Sequence, residues 1–120
     1  MTVKRSKIGY TRSEFSAIFQ IYSENVYAGL FRDFSFTEVD GRYFISFREE
    51  AGKVPLVTIE KRRLGPDKAL FVATSPGPGG TLVEIARSEK IGAFVRSLKE
   101  KIENLRAGKP LSGASVRSVP

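Results

Sequence analysis

The stretch DFSFTEVDGRYFISFR, residues 33–48, decides the fold of this chain. Its centre, Asp40-Gly41, favours a two-residue hairpin turn, because this dipeptide tolerates the positive φ angles of a type I′ turn. A turn of that length fixes the register, so that Val39 faces Arg42 and the pairs before and after them follow in order. We therefore predict two antiparallel strands joined at Asp40-Gly41.

The predicted register divides the hairpin into an apolar face and a polar face. The apolar face carries Phe34, Phe36, Tyr43, Ile45 and Phe47. The polar face pairs Asp33 with Arg48, Ser35 with Ser46 and Thr37 with Phe44. Such a division is typical of a sheet with one face against a core and the other facing solvent.

Three further strands are expected after the hairpin. A turn at 49–53 leads into a third strand at 54–62, whose register is predicted to place Glu60 opposite Arg42 and Thr58 opposite Phe44. A fourth strand at 68–74 is apolar enough for burial on both faces. The Pro- and Gly-rich residues 75–80 are expected to form a loop outside any ladder, and 81–86 a short fifth strand.

Helices are predicted at both ends of the sheet segment. Thr11-Arg12-Ser13-Glu14 has the form of a capping box, so a helix is expected at about 12–28, with Gly29 ending it. Ser88 is expected to cap a second helix that ends near Gly108. Its apolar stripe consists of Ile91, Phe94, Val95, Leu98, Ile102 and Leu105. This stripe is either the lid on the sheet or a dimer seam.

The fold class expected from these elements is α+β: an N-terminal helix, an antiparallel sheet of four to five strands, and a long C-terminal helix packed on the sheet. The chain has 120 residues, a size that suits one domain, which we place at 11–106. We expect residues 1–10 to be a mobile basic N-terminus and 107–120 a disordered basic tail, because both have few large apolar residues.

Charge is distributed unevenly along the chain. The net charge is +7, but residues 13–105 hold 13 basic and 13 acidic residues, so the excess lies in the flanks. Disordered basic segments bind polyanions by releasing counterions, and they also keep a protein soluble. Either role fits the flanks.

Composition excludes several classes of site. The chain has no Cys and no His, which removes disulfides, zinc-thiolate sites and the commonest proton-transfer residue. We find no catalytic constellation, no metal-ligand spacing and no cofactor-binding motif. No apolar run is long enough to span a bilayer, so we expect a cytoplasmic protein without membrane contact.

Basic and aromatic residues alternate on the polar face of the sheet, as they do in proteins that bind single-stranded nucleic acid. Phe44 is the candidate for base stacking, and the candidates for phosphate contact are Arg42, Arg48, Lys61, Arg62, Arg63 and Lys68. Cross-strand opposite charges also stabilise a sheet by themselves, so an ordinary solvated face is the other interpretation.

Two resemblances bear on these residues. The segment YSENVYAGLFRDFSF with YFISFREEAGKVPLVTIEKR, within Tyr22 to Arg62, resembles a family of small bacterial proteins, domain-of-unknown-function family 2794, which implies no activity. The sheet followed by FVRSLKEKIENL is similar to the single-stranded nucleic-acid-binding group of positive cofactor four, the Whirly proteins and the PUR proteins. That resemblance implies a homodimer through the helices, with DNA or RNA strands held on the sheet.

The function expected from the sequence is therefore a non-catalytic, single-stranded DNA- or RNA-binding accessory or regulatory protein. The alternative is a protein-interaction or assembly module without nucleic-acid binding, in which the first helix docks a partner through Phe15, Phe19 and Tyr22.

Overall fold

The computed structural model describes residues 9–108. Their fold is α+β, as the sequence predicts: a helix, a five-stranded antiparallel sheet in the order β1-β2-β3-β4-β5, and a second helix packed on the sheet. The elements are α1 (Arg12–Tyr27), β1 (Asp33–Val39), β2 (Arg42–Arg48), β3 (Val57–Gly65), β4 (Lys68–Pro76), a short 3₁₀ turn (Pro78–Gly80), β5 (Leu82–Ser88) and α2 (Ile91–Arg106). Of the expected flanks 1–10 and 107–120, residues 1–8 and 109–120 lie outside the described residues.

The first hairpin has the predicted register. Val39 pairs with Arg42, Thr37 with Phe44, and Asp33 with Arg48. Asp40 and Gly41 have φ angles of 53° and 77°, the left-handed conformation that a type I′ turn needs at both positions. The two strands are therefore joined as the Asp-Gly dipeptide predicts.

The predicted register between β2 and β3 is wrong by two residues. Glu60 lies opposite Phe44 rather than Arg42, and Thr58 lies opposite Ser46. β3 begins at Val57, because 49–56 form a longer connection than the turn expected at 49–53. A shift of two residues keeps every side chain on its face, so the apolar pattern alone could not exclude it.

β4 and β5 extend further than the sequence indicated. Ser75 pairs with Val83 and Pro76 with Leu82, so the start of the expected loop at 75–80 is still part of the ladder. Proline is tolerated here because it is the last residue of β4, where its missing amide interrupts no further pairing. The side chains of Phe71, Val72 and Ala73 are all buried, which confirms the prediction that β4 is buried on both faces.

The predicted N-terminal cap of α1 is confirmed, whereas the cap predicted for α2 is wrong. Thr11 accepts from the Glu14 amide and the Glu14 carboxylate accepts from the Thr11 amide, which completes the capping box. Ser88 does not cap α2. It ends β5, and its hydroxyl accepts from the amide of Lys90, the residue that precedes the helix. A serine at a strand end serves the turn by the same kind of hydrogen bond.

Both helices pack on one side of the sheet, which we call the core face: the side that carries Ile45, Phe47 and Ile59. Ile18 and Ile21 of α1 join this cluster, as do the α2 residues Phe94, Leu98 and Ile102. The α2 stripe is therefore the lid on the sheet, the first of the two roles predicted for it.

The core begins before the capping Thr11. Tyr10 is 1% exposed, packs on Phe71, and donates its hydroxyl to the Tyr43 carbonyl at 3.0 Å. Burial raises the pKa of Tyr10 above its ordinary range, so the hydroxyl stays protonated as a donor. Composition placed Tyr10 in the flank because its neighbours along the chain are polar, and this burial depends on contacts distant in sequence.

Gly9 lies against the Tyr43 ring, and we expect Gly9→Ala to destabilise the fold. A Cβ at Gly9 would come within 2.2 Å of the ring, and Gly9 has a φ of +80°. Gly52→Ala is the matched control, because Gly52 has a φ of +88° and no atom within 4 Å of the added Cβ. Strained backbone costs roughly 1 kcal/mol in both variants, and the clash adds about 1–3 kcal/mol for Gly9→Ala alone. Urea unfolding measures the difference, and equal losses would contradict the packing described.

Candidate nucleic-acid interface

The second side of the sheet, which we call the open face, carries Phe44, Glu60 and Val72. These residues lie next to one another across the sheet, since Phe44 pairs with Glu60 and Glu60 with Val72. Side chains alternate along a strand, so this side is opposite to Ile45, Ile59 and the helices packed on them. Within residues 9–108, no helix packs on the open face.

Phe44 is half-buried and is partly covered by Arg42. The guanidinium carbon of Arg42 lies 5.3 Å from the centre of the Phe44 ring, within the range of a cation–π contact. The Arg42 side chain is 58% exposed. Phe44 thus presents an aromatic ring at the surface beside the solvent-exposed guanidinium of Arg42.

Glu60 is the central charged group of the open face. Its side chain is only 9% exposed and accepts from the Nε atoms of both Arg42, at 2.8 Å, and Arg62, at 3.2 Å. The hydrogen bond from Arg42 and the one from Arg62 hold the pKa of Glu60 below its usual value, against the opposing effect of burial. The same bond raises the pKa of Arg42. Glu60 therefore stays ionised and fixes the positions of two guanidinium groups.

Arg48 lies at the other end of β2 and is held by three partners. Its guanidinium donates to Asp33 at 3.2 Å, to the Ser35 hydroxyl at 2.8 Å and to the Lys53 carbonyl at 2.9 Å. The predicted pairing of Asp33 with Arg48 is present. Its hydrogen bonds make Arg48 a fixed, charge-compensated group rather than a free cation.

Lys61 lies on the core face, not on the face that carries Phe44. It is 8% exposed, and its ammonium contacts the Glu14 carboxylate at 2.7 Å and the Gly9 carbonyl at 3.2 Å. Arg63 follows Lys61 at the next position of the same parity, whereas Arg62 lies on the open face. The basic run 61–63 therefore divides between the two sides of the sheet, a consequence of strand alternation that the prediction from sequence did not take into account.

The remaining predicted residue, Lys68, begins β4 and contacts Glu89 at 3.7 Å. Both side chains are exposed, Lys68 by 64% and Glu89 by 51%, so this ion pair contributes little to stability. Of the seven candidates, the structure brings Arg42, Phe44 and Arg62 together, with Arg48 further along the same face.

An open depression lies where β3 passes the tip of the first hairpin. Its volume is about 340 Å³, and it is lined by Gly41, Arg42, Glu60, Lys61, Arg62 and Arg63. The Lys61 ammonium is paired with Glu14 on the core face, but Arg42, Arg62 and Arg63 outnumber Glu60, so the depression is suited to an anionic group. No cluster of three potential metal ligands and no helix able to span a membrane occurs in the part of the chain that the structure describes.

Sequence reasoning missed Val72 and Arg87 as members of the open face. Val72 pairs with Arg87 of β5 and extends the row of Phe44 and Glu60 across the sheet. Arg87 is bonded to Glu84 at 3.0 Å. The sequence carried one signal for Val72. β4 is apolar on both faces, which indicates that apolar side chains are buried on the open face as well.

Comparison with known proteins adds no relative, since no family model, no curated protein and no solved structure matches the chain. The two resemblances noted in the sequence therefore stay predictions.

We expect Glu60→Gln to lower stability by about 1–2 kcal/mol at pH 7, because two hydrogen bonds to a charged acceptor are weakened. The folded-state pKa of Glu60 is lowered, so its contribution is complete above the ordinary value of 4.5 and is lost as pH falls through the folded-state value. The difference between wild type and Glu60→Gln should thus be complete above pH 4.5 and shrink as pH falls through the folded-state pKa.

Urea unfolding from pH 3 to pH 7 measures this difference. Glu49→Gln is the control, because Glu49 is exposed and has no ion pair among residues 9–108, and we expect it to stay within about 0.5 kcal/mol of wild type. A Glu60→Gln deficit that is the same at both ends of the pH range would contradict the role assigned to the Glu60 carboxylate.

Proposed function

We propose that this chain is a non-catalytic, cytoplasmic protein that binds single-stranded DNA or RNA on the open face of its sheet, in an accessory or regulatory role. The observation that carries the proposal is the position of Phe44. It lies on the one sheet face that no described helix covers, with the Arg42 guanidinium 5.3 Å from its ring centre. A flat ring beside a cation is the pair of groups that a nucleotide requires, one for the base and one for the phosphate.

The hydrogen bonding of Arg42 and Arg62 supports phosphate contact. Both arginines bond Glu60 through Nε, and their terminal nitrogens make no hydrogen bond to residues 9–108. Two guanidinium groups share one carboxylate, so the trio keeps a net charge of +1. The terminal amino groups of each arginine are therefore available to a phosphate oxygen, while Glu60 holds their stems in place.

Base stacking requires that Arg42 move from the Phe44 ring. The long, largely exposed Arg42 side chain can turn toward a phosphate while a base takes its place against the ring. This movement breaks a surface cation–π pair of roughly 0.5–1 kcal/mol, whereas stacking of a base contributes about 1–3 kcal/mol. Binding is favoured by this exchange.

Phe44→Leu tests the stacking directly, since leucine keeps apolar volume but offers no flat ring. We expect this variant to bind a fluorescently labelled single-stranded oligonucleotide about 5- to 100-fold more weakly than wild type, measured by anisotropy at low salt. Tyr27→Leu is the control, because Tyr27 is 94% exposed at the end of α1, away from the open face. Unchanged affinity of Phe44→Leu, or no binding by wild type to DNA or RNA, would refute the proposal.

The same titrations test the arginines. In the double variant Arg42→Gln, Arg62→Gln, the slope of log affinity against log salt should become shallower by about 0.7 for each phosphate that the variant no longer neutralises. The double variant Lys90→Gln, Arg96→Gln removes the same charge from exposed positions at and just before α2. If both double variants change the slope equally, net charge and not the open face determines binding.

The second candidate is the protein-interaction module, and the observation that favours it is the exposure of two aromatic rings. Phe19 of α1 is 41% exposed and Phe36 of β1 is 50% exposed. Phe15 and Tyr22, the other residues expected to dock a partner, pack on Phe34. A chain that binds no oligonucleotide but loses a protein contact in Phe19→Ser would favour this candidate.

A further inference from the structure

We propose that two copies of this chain associate through β1, joining their sheets edge to edge in antiparallel orientation. β1 is an edge strand, paired with β2 on one side and with no described strand on the other. This inference goes beyond nucleic-acid binding and is tested without any nucleic acid.

The β1 edge lacks three features that commonly prevent edge-to-edge pairing: proline, lysine and a bulge. Its seven residues contain no Pro and no Lys, and its register with β2 runs from Asp33 to Val39 without a bulge. The opposite edge, β5, is interrupted by a register shift near Thr74 and contacts α2. Of the two edges of the sheet, β1 is therefore the one suited to further pairing.

The geometry of the hairpin determines which backbone groups are free. In a two-residue hairpin the residues that flank the turn form a hydrogen-bonded pair, so Val39, Thr37 and Ser35 bond β2. The amide and carbonyl groups of Phe34, Phe36 and Glu38 then point to the open edge. These are the groups that a second copy would pair.

One register makes the edge complementary to itself. With Ser35 facing Ser35 of the second copy, Phe34 lies opposite Phe36 of that copy. Arg32, which precedes β1 and whose amide donates to the Arg48 carbonyl at 2.9 Å, then comes close to Glu38 of that copy. Contacts between different residues occur twice because the axis is two-fold, and the Ser35 contact lies on the axis. Arg32 and Glu38 are both exposed, and neither has an ion pair among residues 9–108. Charge complementarity therefore favours a second copy as the occupant of this edge.

The apolar side of the same edge gains from this pairing. Phe36 is 50% exposed on the side where Phe34 contacts Phe19, with ring centres 5.2 Å apart. In the proposed register the Phe36 rings of both copies cover these neighbours. The helices offer less, since the buried stripe Phe94, Leu98 and Ile102 of α2 is already used by the core. We therefore place the dimer seam at β1 and not between the helices.

A cysteine at the two-fold position tests the register. Residues in a non-hydrogen-bonded antiparallel pair have Cα atoms about 4.5 Å apart, within the range that a disulfide spans. The natural chain has no Cys, so Ser35→Cys introduces the sole thiol. We expect the full chain carrying Ser35→Cys to form a covalent dimer under mild oxidation, and Thr37→Cys, two residues along the same face, to form much less.

Charge-reversal variants test the same register independently, with dimer affinity measured by sedimentation equilibrium. Glu38→Arg should raise the dissociation constant of the dimer about 10-fold, because each new arginine lies beside Arg32 of the other copy. Adding Arg32→Glu to this variant should restore the wild-type affinity. Glu49→Arg, in the exposed connection after β2, is the control. A monomeric wild type at all soluble concentrations, equal cross-linking of both cysteine variants, or no rescue by the double reversal would overturn the inference. Each result is independent of oligonucleotide binding.

Discussion

The packing of both helices against a single face of the sheet is the constraint on which the rest of this structure depends. Ile18 and Ile21 of α1 meet Phe94, Leu98 and Ile102 of α2 in one cluster with the core-face residues of the strands. Because both helices direct their buried side chains into this cluster, no described helix covers the other face. The sheet is consequently two-sided, and its second side must be stabilised by its own residues.

Glu60 supplies that stabilisation with a charge. Its carboxylate is nearly buried between Phe44 and Val72, where an unpaired charge would be costly, and it is compensated by Arg42 and Arg62. The Arg42 guanidinium lies 5.3 Å from the centre of the Phe44 ring, and the terminal nitrogens of both arginines make no hydrogen bond within residues 9–108. The arrangement that stabilises the open face is thus the same one that would receive a phosphate, so structural and binding roles coincide on these residues.

Local rules sufficed where the chain gave an unambiguous signal. Asp40-Gly41 determined the register of β1 and β2, and the Thr11 to Glu14 box determined the start of α1. The register of β3 could not be found in this way, because alternation repeats every two residues and the length of the connection at 49–56 was not encoded by a tight turn. Lys61 was misplaced for a related reason: its basic neighbours suggested a surface run, while its partner Glu14 lies 47 residues away in the sequence. The candidate site was accordingly predicted in its central members, Arg42, Phe44 and Arg62, and not in its extent.

The most direct test of the open face as the binding surface is a map of chemical-shift changes in the isotope-labelled full chain during titration with a single-stranded oligonucleotide. This account predicts that the largest changes fall on Phe44, Glu60 and Val72 and on the side-chain Nε–H groups of Arg42 and Arg62, while Ile18, Leu98 and the rest of the core face change little. Changes confined to α1, to α2 or to the basic flanks, with the resonances of Phe44 and Glu60 unmoved, would contradict it.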